Sequence, residues 1–379
     1  MTNSRTTFGG GPIFDGATLH SDWALCVDIE EIVKLGPAAE IGRDGKYVDL
    51  GGDILSPGYV DLQVNGGDGI MFNDAPSVET LERIATAHRR LGTTTILPTL
   101  ITDTAGKTVA AIEAAKAAIA ESVQGIGGLH LEGPHLSVAR KGAHDAALIR
   151  TMTDDDLAVL IQAASDLPVL MVTVAPENTT LEQVRALVDA GALVSLGHSD
   201  ANFDTCISYA KAGARSVTHL FNAMSQFGNR APGLVGAALA SGDLSAGLIA
   251  DGIHVHPEAM RTALAAKRAP GQIFLVSDAM APAGSDIREF TLGGRRIARD
   301  GGQLTLDDGT LAGADLDLTT AVRNLVQQVD VCLSDALHAA TFVPARLAGL
   351  HAGVGEITVG NTADLIRIRR DLSGVVPLD

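Results

Sequence analysis

Four side chains suited to metal and acid–base chemistry each close a separate apolar run. Glu132 ends the run 128–131 and leads into a Gly-Pro turn, His198 follows 193–197, His219 follows 215–218, and Asp278 follows 272–277. One carboxylate and two imidazoles can hold a divalent cation and leave a position open for water. A further carboxylate beside them can take a proton from that water and return it to a leaving nitrogen. Each residue alone has a plainer reading: a solvated Glu at a strand end, a hydrogen-bonded barrel His, an Asp in a turn or at a helix cap. Three ligands closing three runs, with an acid closing a fourth, favour the metal reading.

Such residues converge only if their runs are strands of one sheet. From residue 55 to about 346, apolar runs alternate with Ala-rich helical stretches, the pattern of repeated βα units and a parallel sheet. The spacing predicts strands at 59–64, 93–97, 128–131, 169–174, 193–197, 215–218, 245–250 and 272–277, with helices at 77–91, 107–121, 154–164, 181–190 and 203–213. The Ala-rich stretch 109–120, with Ile112 and Ile119, suits an ordinary outer helix. Eight such units predict an α/β fold, a (β/α)8 TIM-type barrel, whose working residues lie at the C-terminal strand ends. Short strand-like pieces at 23–27, 32–35 and 47–49 pair in this reading with 356–359 and 363–369. A small β-sandwich is thus expected from residues 1–54 and 352–379, beside a barrel at 55–351.

Composition narrows the function classes. Hydrophobic residues are 46% and aromatics only 3%, so the interior must be packed by aliphatic side chains. A formal charge of -17 argues against nucleic acid as a partner, while a local pocket can still hold a small anion. Cys26, Cys206 and Cys332 are odd in number and form no metal-type spacing, which points to a reducing compartment. With no secretory pattern and no membrane-length apolar run, a cytoplasmic protein without a membrane partner is expected.

The stretches PGYVDLQVNG (57–66), GLHLEGPHL (128–136), KGAH (141–144), LGHSDA (196–201), THLFNAM (218–224), ADGIHV (250–255) and VSDAMAP (276–282) run in order from the first strand to the last. By these motifs the chain resembles the amidohydrolase superfamily, and within it the branch that deacetylates amino-sugar phosphates. The resemblance implies removal of acetate from N-acetyl-D-glucosamine 6-phosphate by metal-bound water, with Glu132, His198 and His219 as ligands and Asp278 as acid/base. Many superfamily members carry His-x-His where this chain has Gln63 and Asn65. Amides are poor ligands, so one divalent metal per subunit is expected. Zn2+ is the first choice, although Fe2+, Mn2+ or Co2+ suit the same set.

The same resemblance makes Gln63 a candidate to orient the water, with a plain structural amide as the alternative. Asn222 and Ala223 come soon after a ligand, His219, so their backbone N–H groups sit at the barrel mouth where oxyanions are held. Arg230 is the cation to pair with them, unless it is an ordinary surface Arg. Carried over from the family, these groups and His254 bind sugar phosphate and hydroxyls, and His254 is also a candidate to polarise the acetyl carbonyl. His144 matches a substrate-pocket position, with a solvated loop His as its alternative. Leu311, Ala312 and Gly313 match a segment that closes over the sugar, and a homodimer is implied. Competing readings are an amidohydrolase for another N-acylated amine or amino-sugar phosphate, and a non-catalytic sugar-phosphate-binding barrel.

Overall fold

A computed structural model describes residues 5–43, 45–362, 364–376 and 378. Its centre is an eight-stranded parallel sheet in chain order: Tyr59–Val64, Thr93–Ile101, Leu129–Glu132, Leu170–Val174, Leu193–Leu196, Ser216–Val217, Ser245–Leu248 and Ile273–Leu275. A parallel bridge between Val64 and Ala279 brings the last strand back to the first. The strands are buried on both faces, as helix-covered parallel strands must be, which is why they read as continuous apolar runs. All eight lie where the sequence places them. The second runs past its expected end at 97, because Pro98 sits at a register shift where its missing N–H breaks no ladder.

The expected helices form as Val78–Arg90, Ala105–Ala120, Asp154–Asp166, Leu181–Asp189 and Phe203–Lys211. Ser77, Thr104, Thr153, Thr180 and Asn202 cap their first turns by accepting a backbone N–H, which sets where each loop ends. Ala105–Ala120 buries Ile112 together with Ala111, Ala114, Ala115 and Ala118, the small residues that allow a helix to lie close on the sheet. A three-stranded sheet was among the elements not foreseen. Between the eighth strand and the helix Leu318–Gln328, Glu289–Leu292, Arg295–Asp300 and Gln303–Leu306 form a three-stranded antiparallel sheet. These strands are short and charge-rich, so their alternation is weak in the sequence. Their apolar side, including Leu292, Ile297 and Leu304, packs with Met71, Met280 and Ala312.

Both chain ends contribute further sheets. Glu31–Pro37, Trp23–Asp28, Arg5–Gly9 and Lys46–Asp49 form one, in that order. Val375–Val376, Leu365–Ile368, Ile54–Pro57, Ile13–Phe14 and Leu19–His20 form the other. Phe8, Ile13, Leu25, Leu55 and Ile357 share a core. Residues 356–359 are not the expected strand; they form a bend tied down by Ile357 N–H to the Asp15 carbonyl and Gly360 N–H to that of Ile32. The expected start of the following strand at Ala363 lies outside the described residues, and the strand begins at Leu365. Among the described residues, no helix is long and apolar enough to cross a membrane.

The barrel strands are also tied together by buried polar side chains. Thr99 donates to the Leu97 carbonyl and accepts the Val64 N–H, so His130 Nδ1 must carry the proton it gives to Thr99. From there His130 Nε2 accepts from Thr173, Thr173 from Thr218, and Thr218 from Ser195, at 2.8, 2.7 and 2.7 Å. Burial pushes the His130 imidazole down to about 4, which keeps it neutral near pH 7 and preserves the direction of this chain.

Asp61, also fully buried, accepts the backbone N–H groups of Gln63 and Ser277 and so links the first strand to the residue before Asp278. Burial pushes its carboxyl up to about 7 despite those bonds. Because the folded chain holds this proton more tightly than the unfolded chain, the carboxyl favours folding at low pH. That contribution is lost as pH rises from about 4 to about 7. Asp61→Asn keeps an oxygen for both N–H groups and cannot ionise. Relative to the unsubstituted chain it is expected to gain about 4 kcal/mol across that window, read from urea midpoints between pH 4 and 8. A flat difference would mean that Asp61 is ionised throughout in the folded protein.

Candidate metal centre

Glu132 is the last residue of the third strand, and its neighbours across the ladders are Ile101 and Thr173. His198 and His219 lie just beyond the fifth and sixth strands, and Asp278 beyond the eighth. His198, His219 and Asp278 have φ of 47, 28 and 50°, in the left-handed region that residues other than glycine rarely adopt. Such turns at three strand ends aim three side chains back over the barrel mouth, a strain typical of functional sites.

Glu132 Oε1 stands 3.3 Å from His198 Nε2 and 3.2 Å from His219 Nε2, and the two nitrogens are 3.0 Å apart. All three residues are buried. His198 Nδ1 donates to the Arg140 carbonyl at 2.8 Å, which leaves the Nε2 lone pair facing the cluster. Two imidazole nitrogens cannot face each other so closely unless a proton or cation lies among them. Burial alone would raise the Glu132 carboxyl, but bonds from His198 and His219 outweigh it and hold it well below its usual value. Burial likewise opposes the His219 cation, and the Glu132 carboxylate overcomes it, leaving the imidazole above its usual value. Among the described residues His219 Nδ1 has no hydrogen-bond partner, a buried polar atom left uncompensated beside the cluster. The donor atoms lie within 4.8 Å of one another, and a buried carboxylate with two imidazoles fits a divalent metal.

Asp278 stands next to this cluster. Burial, followed by the charge of Glu132, pushes its carboxyl up to about 6. Gln63 Nε2 bridges Glu132 Oε1 and Asp278 Oδ1 at 3.1 Å each, and Asn65 Nδ2 donates to the same Oδ1 at 2.7 Å. Both amides therefore hold one oxygen of Asp278, and neither takes up Oδ2. Asn65, given no role from sequence beyond being a poor ligand, is thus part of the site, and its Oδ1 is buried without a partner. The VDLQVNG motif carries both amides two residues apart. That spacing puts them on one face of a strand and was the available signal.

The cluster opens into a cavity of about 520 Å³, which Asp278, His144, His254, Asn222 and Ala223 also line. His144 is buried, hydrogen-bonds Thr102 Oγ1 at 2.8 Å and stands 3.8 Å from Glu132 Oε2. Burial, then the neighbouring His198, pushes its imidazole down to about 3, so it is a neutral wall residue and not a solvated loop His. The Asn222 N–H is spent on the His219 carbonyl, whereas that of Ala223 has no partner among the described residues. Leu311 and Gly313 line the cavity, and Ala312 is buried behind them. Arg230 is exposed and outside the lining. The lining instead includes Arg140, paired with Asp200 at 2.7 Å and unmarked by sequence reasoning. Also missed was Asp251, which bonds His254 Nδ1 and sits three residues before it in ADGIHV.

Known proteins resemble this chain over most of its length. The chain is 44% identical over 336 residues to an N-acetylgalactosamine-6-phosphate deacetylase of Shewanella sp. (strain ANA-3), covering 88% of this chain and 84% of the relative. The crystal structure of the N-acetylglucosamine-6-phosphate deacetylase of Pasteurella multocida superposes with a TM-score of 0.92 at 34% identity, covering 98% of this chain and 97% of that one. A mutant of the corresponding Mycobacterium smegmatis enzyme, in complex with N-acetyl-D-glucosamine-6-phosphate, superposes with a TM-score of 0.90 at 29% identity, over 98% and 97% of the two chains. The amidohydrolase family model matches residues 54–377, which include every barrel strand and every residue of the metal cluster, and the chain belongs to the amidohydrolase family.

Proposed function

We propose that the chain deacetylates N-acetyl-D-glucosamine 6-phosphate, giving D-glucosamine 6-phosphate and acetate. What carries the reading is the convergence of Glu132, His198 and His219 with an acid of raised pKa, Asp278, in one cavity. One metal would sit on the first three residues, with zinc as our choice, and when bound it supplies Lewis acidity toward the acetamide carbonyl and toward water. Asp278 Oδ2 accepts the water's proton and passes it to the departing amine nitrogen, a task suited to a carboxyl held near 6. Gln63 and Asn65 keep Oδ1 occupied, so the proton-carrying oxygen stays the same through both transfers. His254 contacts the acetyl group or a sugar hydroxyl, and His144 walls the acetyl end. The free Ala223 N–H faces the phosphate, and Leu311 to Gly313 close over the sugar.

Arg230 stands outside its own cavity, so its proposed phosphate contact belongs to a homodimer in which it reaches the neighbouring copy. Phe227, 63% exposed on the same loop, beside an apolar groove that includes Phe221 and Leu239, supports that assembly. We also take residues 1–54 and 352–379 as one small β unit beside the barrel at 55–351, since Ile54–Pro57 pairs with both Ile13–Phe14 and Leu365–Ile368. Three free cysteines are in keeping with a cytoplasmic setting.

A second reading shares the chemistry and changes the sugar: the relative at 44% identity acts, by its name, on the galactosamine epimer. Acetate release from both 6-phosphates and from unphosphorylated N-acetylglucosamine, with metal counted, tests the two together. Expected are about one metal per chain, turnover confined to phosphorylated sugars, loss on chelation and recovery on adding a divalent ion. Faster turnover of the galacto epimer would replace the first reading by the second, and no turnover of either phosphate would remove both. Asp278→Asn should keep its metal and lose about 10²- to 10⁴-fold in kcat, measured by the same assay. Arg230→Ala should raise KM for the phosphorylated sugar roughly tenfold or more with kcat little changed, the loss of one charge-assisted bond. A KM that does not move would take Arg230 out of the phosphate site.

A further inference from the structure

We propose that Asp251 is a positioning residue for the reaction: it fixes the proton of His254 on Nδ1 and so presents Nε2 to the substrate. The inference rests on the deacetylase reading of the cavity and on His254 as one of its substrate contacts. It deepens that reading by assigning a residue that no step above uses.

His254 Nδ1 lies 2.6 Å from Asp251 Oδ2, with the two side chains only 6% and 5% exposed. The other oxygen, Oδ1, accepts the N–H groups of Ile253 and His254 at 2.8 Å each. Those two bonds already close the turn that follows the seventh strand, so a purely structural Asp has no need of the third. The carboxylate plane is set by backbone donors, and the ring is docked on what remains. Burial opposes the Asp251 charge, but the bond to His254, the charge of that ring and the two backbone N–H bonds together outweigh it and hold the carboxyl below its ordinary value. An ionised carboxylate only accepts, so Nδ1 must be the donor, because a lone pair there would face another at 2.6 Å. Nε2 is therefore the nitrogen left for the cavity that His254 lines with Asp278, and as a lone-pair acceptor it suits a sugar hydroxyl of the substrate rather than the acetyl carbonyl. Asn324 holds the adjacent Ala250 carbonyl at 2.9 Å, which fixes the start of the same turn.

Asp251→Asn separates positioning from turn closure. Its amide oxygen stays on the two backbone N–H groups, because its NH2 cannot face them, and the NH2 is thereby turned toward Nδ1. The ring proton must then move to Nε2. Expected are a tautomer change seen by ¹⁵N NMR of labelled His254 and a fall in kcat/KM for N-acetyl-D-glucosamine 6-phosphate of about 10- to 100-fold. Metal content and melting temperature should be unchanged. In a His254→Asn background the same substitution should cost nothing more, since it acts only through that ring. Unchanged kcat/KM, losses that multiply in the double variant, or a loss traced to missing metal or unfolding would each overturn the proposal. Should the unsubstituted chain act on neither sugar phosphate, it is the reading of the reaction that fails. The tautomer measurement then decides alone whether Asp251 sets Nδ1.

Discussion

The burial of the Glu132 charge is the constraint from which the rest of the site follows. An isolated carboxylate in a dry interior is costly enough that it would normally take up a proton. Here two imidazoles and the Gln63 amide converge on the same oxygen, and the carboxyl is held ionised. Asp278 receives the opposite treatment in the same space. It has amide donors but no imidazole at hydrogen-bond distance, and the fixed charge of Glu132 adds to its desolvation. Two carboxylates a few ångströms apart are thus driven in opposite directions, one toward a permanent ligand and the other toward a group that can exchange a proton near neutral pH.

That separation needs an undistorted frame, and the barrel supplies it through polar contacts as well as packing. Aliphatic side chains fill the core, but they do not set the height or rotation of a strand end. The directed chain from Ser195 through Thr218, Thr173 and His130 to Thr99 spans the second to the sixth strands just beneath the ligands. Thr218 directly precedes His219 and His130 stands two residues before Glu132, so the bonds hold the segments that carry the metal cluster. Asp61 does the corresponding work at the seam, where the first strand meets the residue before Asp278.

How much of this was legible from sequence depends on the range of the interaction. Strand positions were readable because burial on both faces leaves continuous apolar runs, and the proposed ligands and acid could be picked out because the fold places them where those runs stop. Partnerships were not readable. Nothing near Asn65 announces that it meets Asp278, 213 positions later. The three-stranded sheet from Glu289 to Leu306 escaped because its strands are half-exposed and charged, and it owes its order to packing against Met71 and Met280. The bend at 356–359 looked like a strand because Ile357 and Val359 alternate with polar residues. Only Ile357 found a core, while Val359 is 54% exposed. Asp251 was legible in principle, since an Asp whose side chain takes the N–H groups two and three residues on is a local motif.

The division between frame and loops also locates the question of sugar identity. Groups that act on the acetamide stand at strand ends or directly behind them, and they would serve any N-acetylated hexosamine alike. An epimer at one ring carbon moves a single hydroxyl. On the proposed reading, the groups that would sense that change are those whose partners are not already spent on the metal cluster, namely His254, the Ala223 N–H and the segment from Leu311 to Gly313. Each is carried by a loop behind a strand end: His254 is set by Asp251, Ala223 by the turn on the His219 carbonyl, and Leu311 to Gly313 by the added sheet. A buried site that hydrogen-bonds a hydroxyl can reject an analogue strongly, because the mismatch leaves a desolvated polar group unpaired. Sugar preference can therefore change through the loops while the strand ends keep the same chemistry, which fits relatives of either sugar sharing this frame.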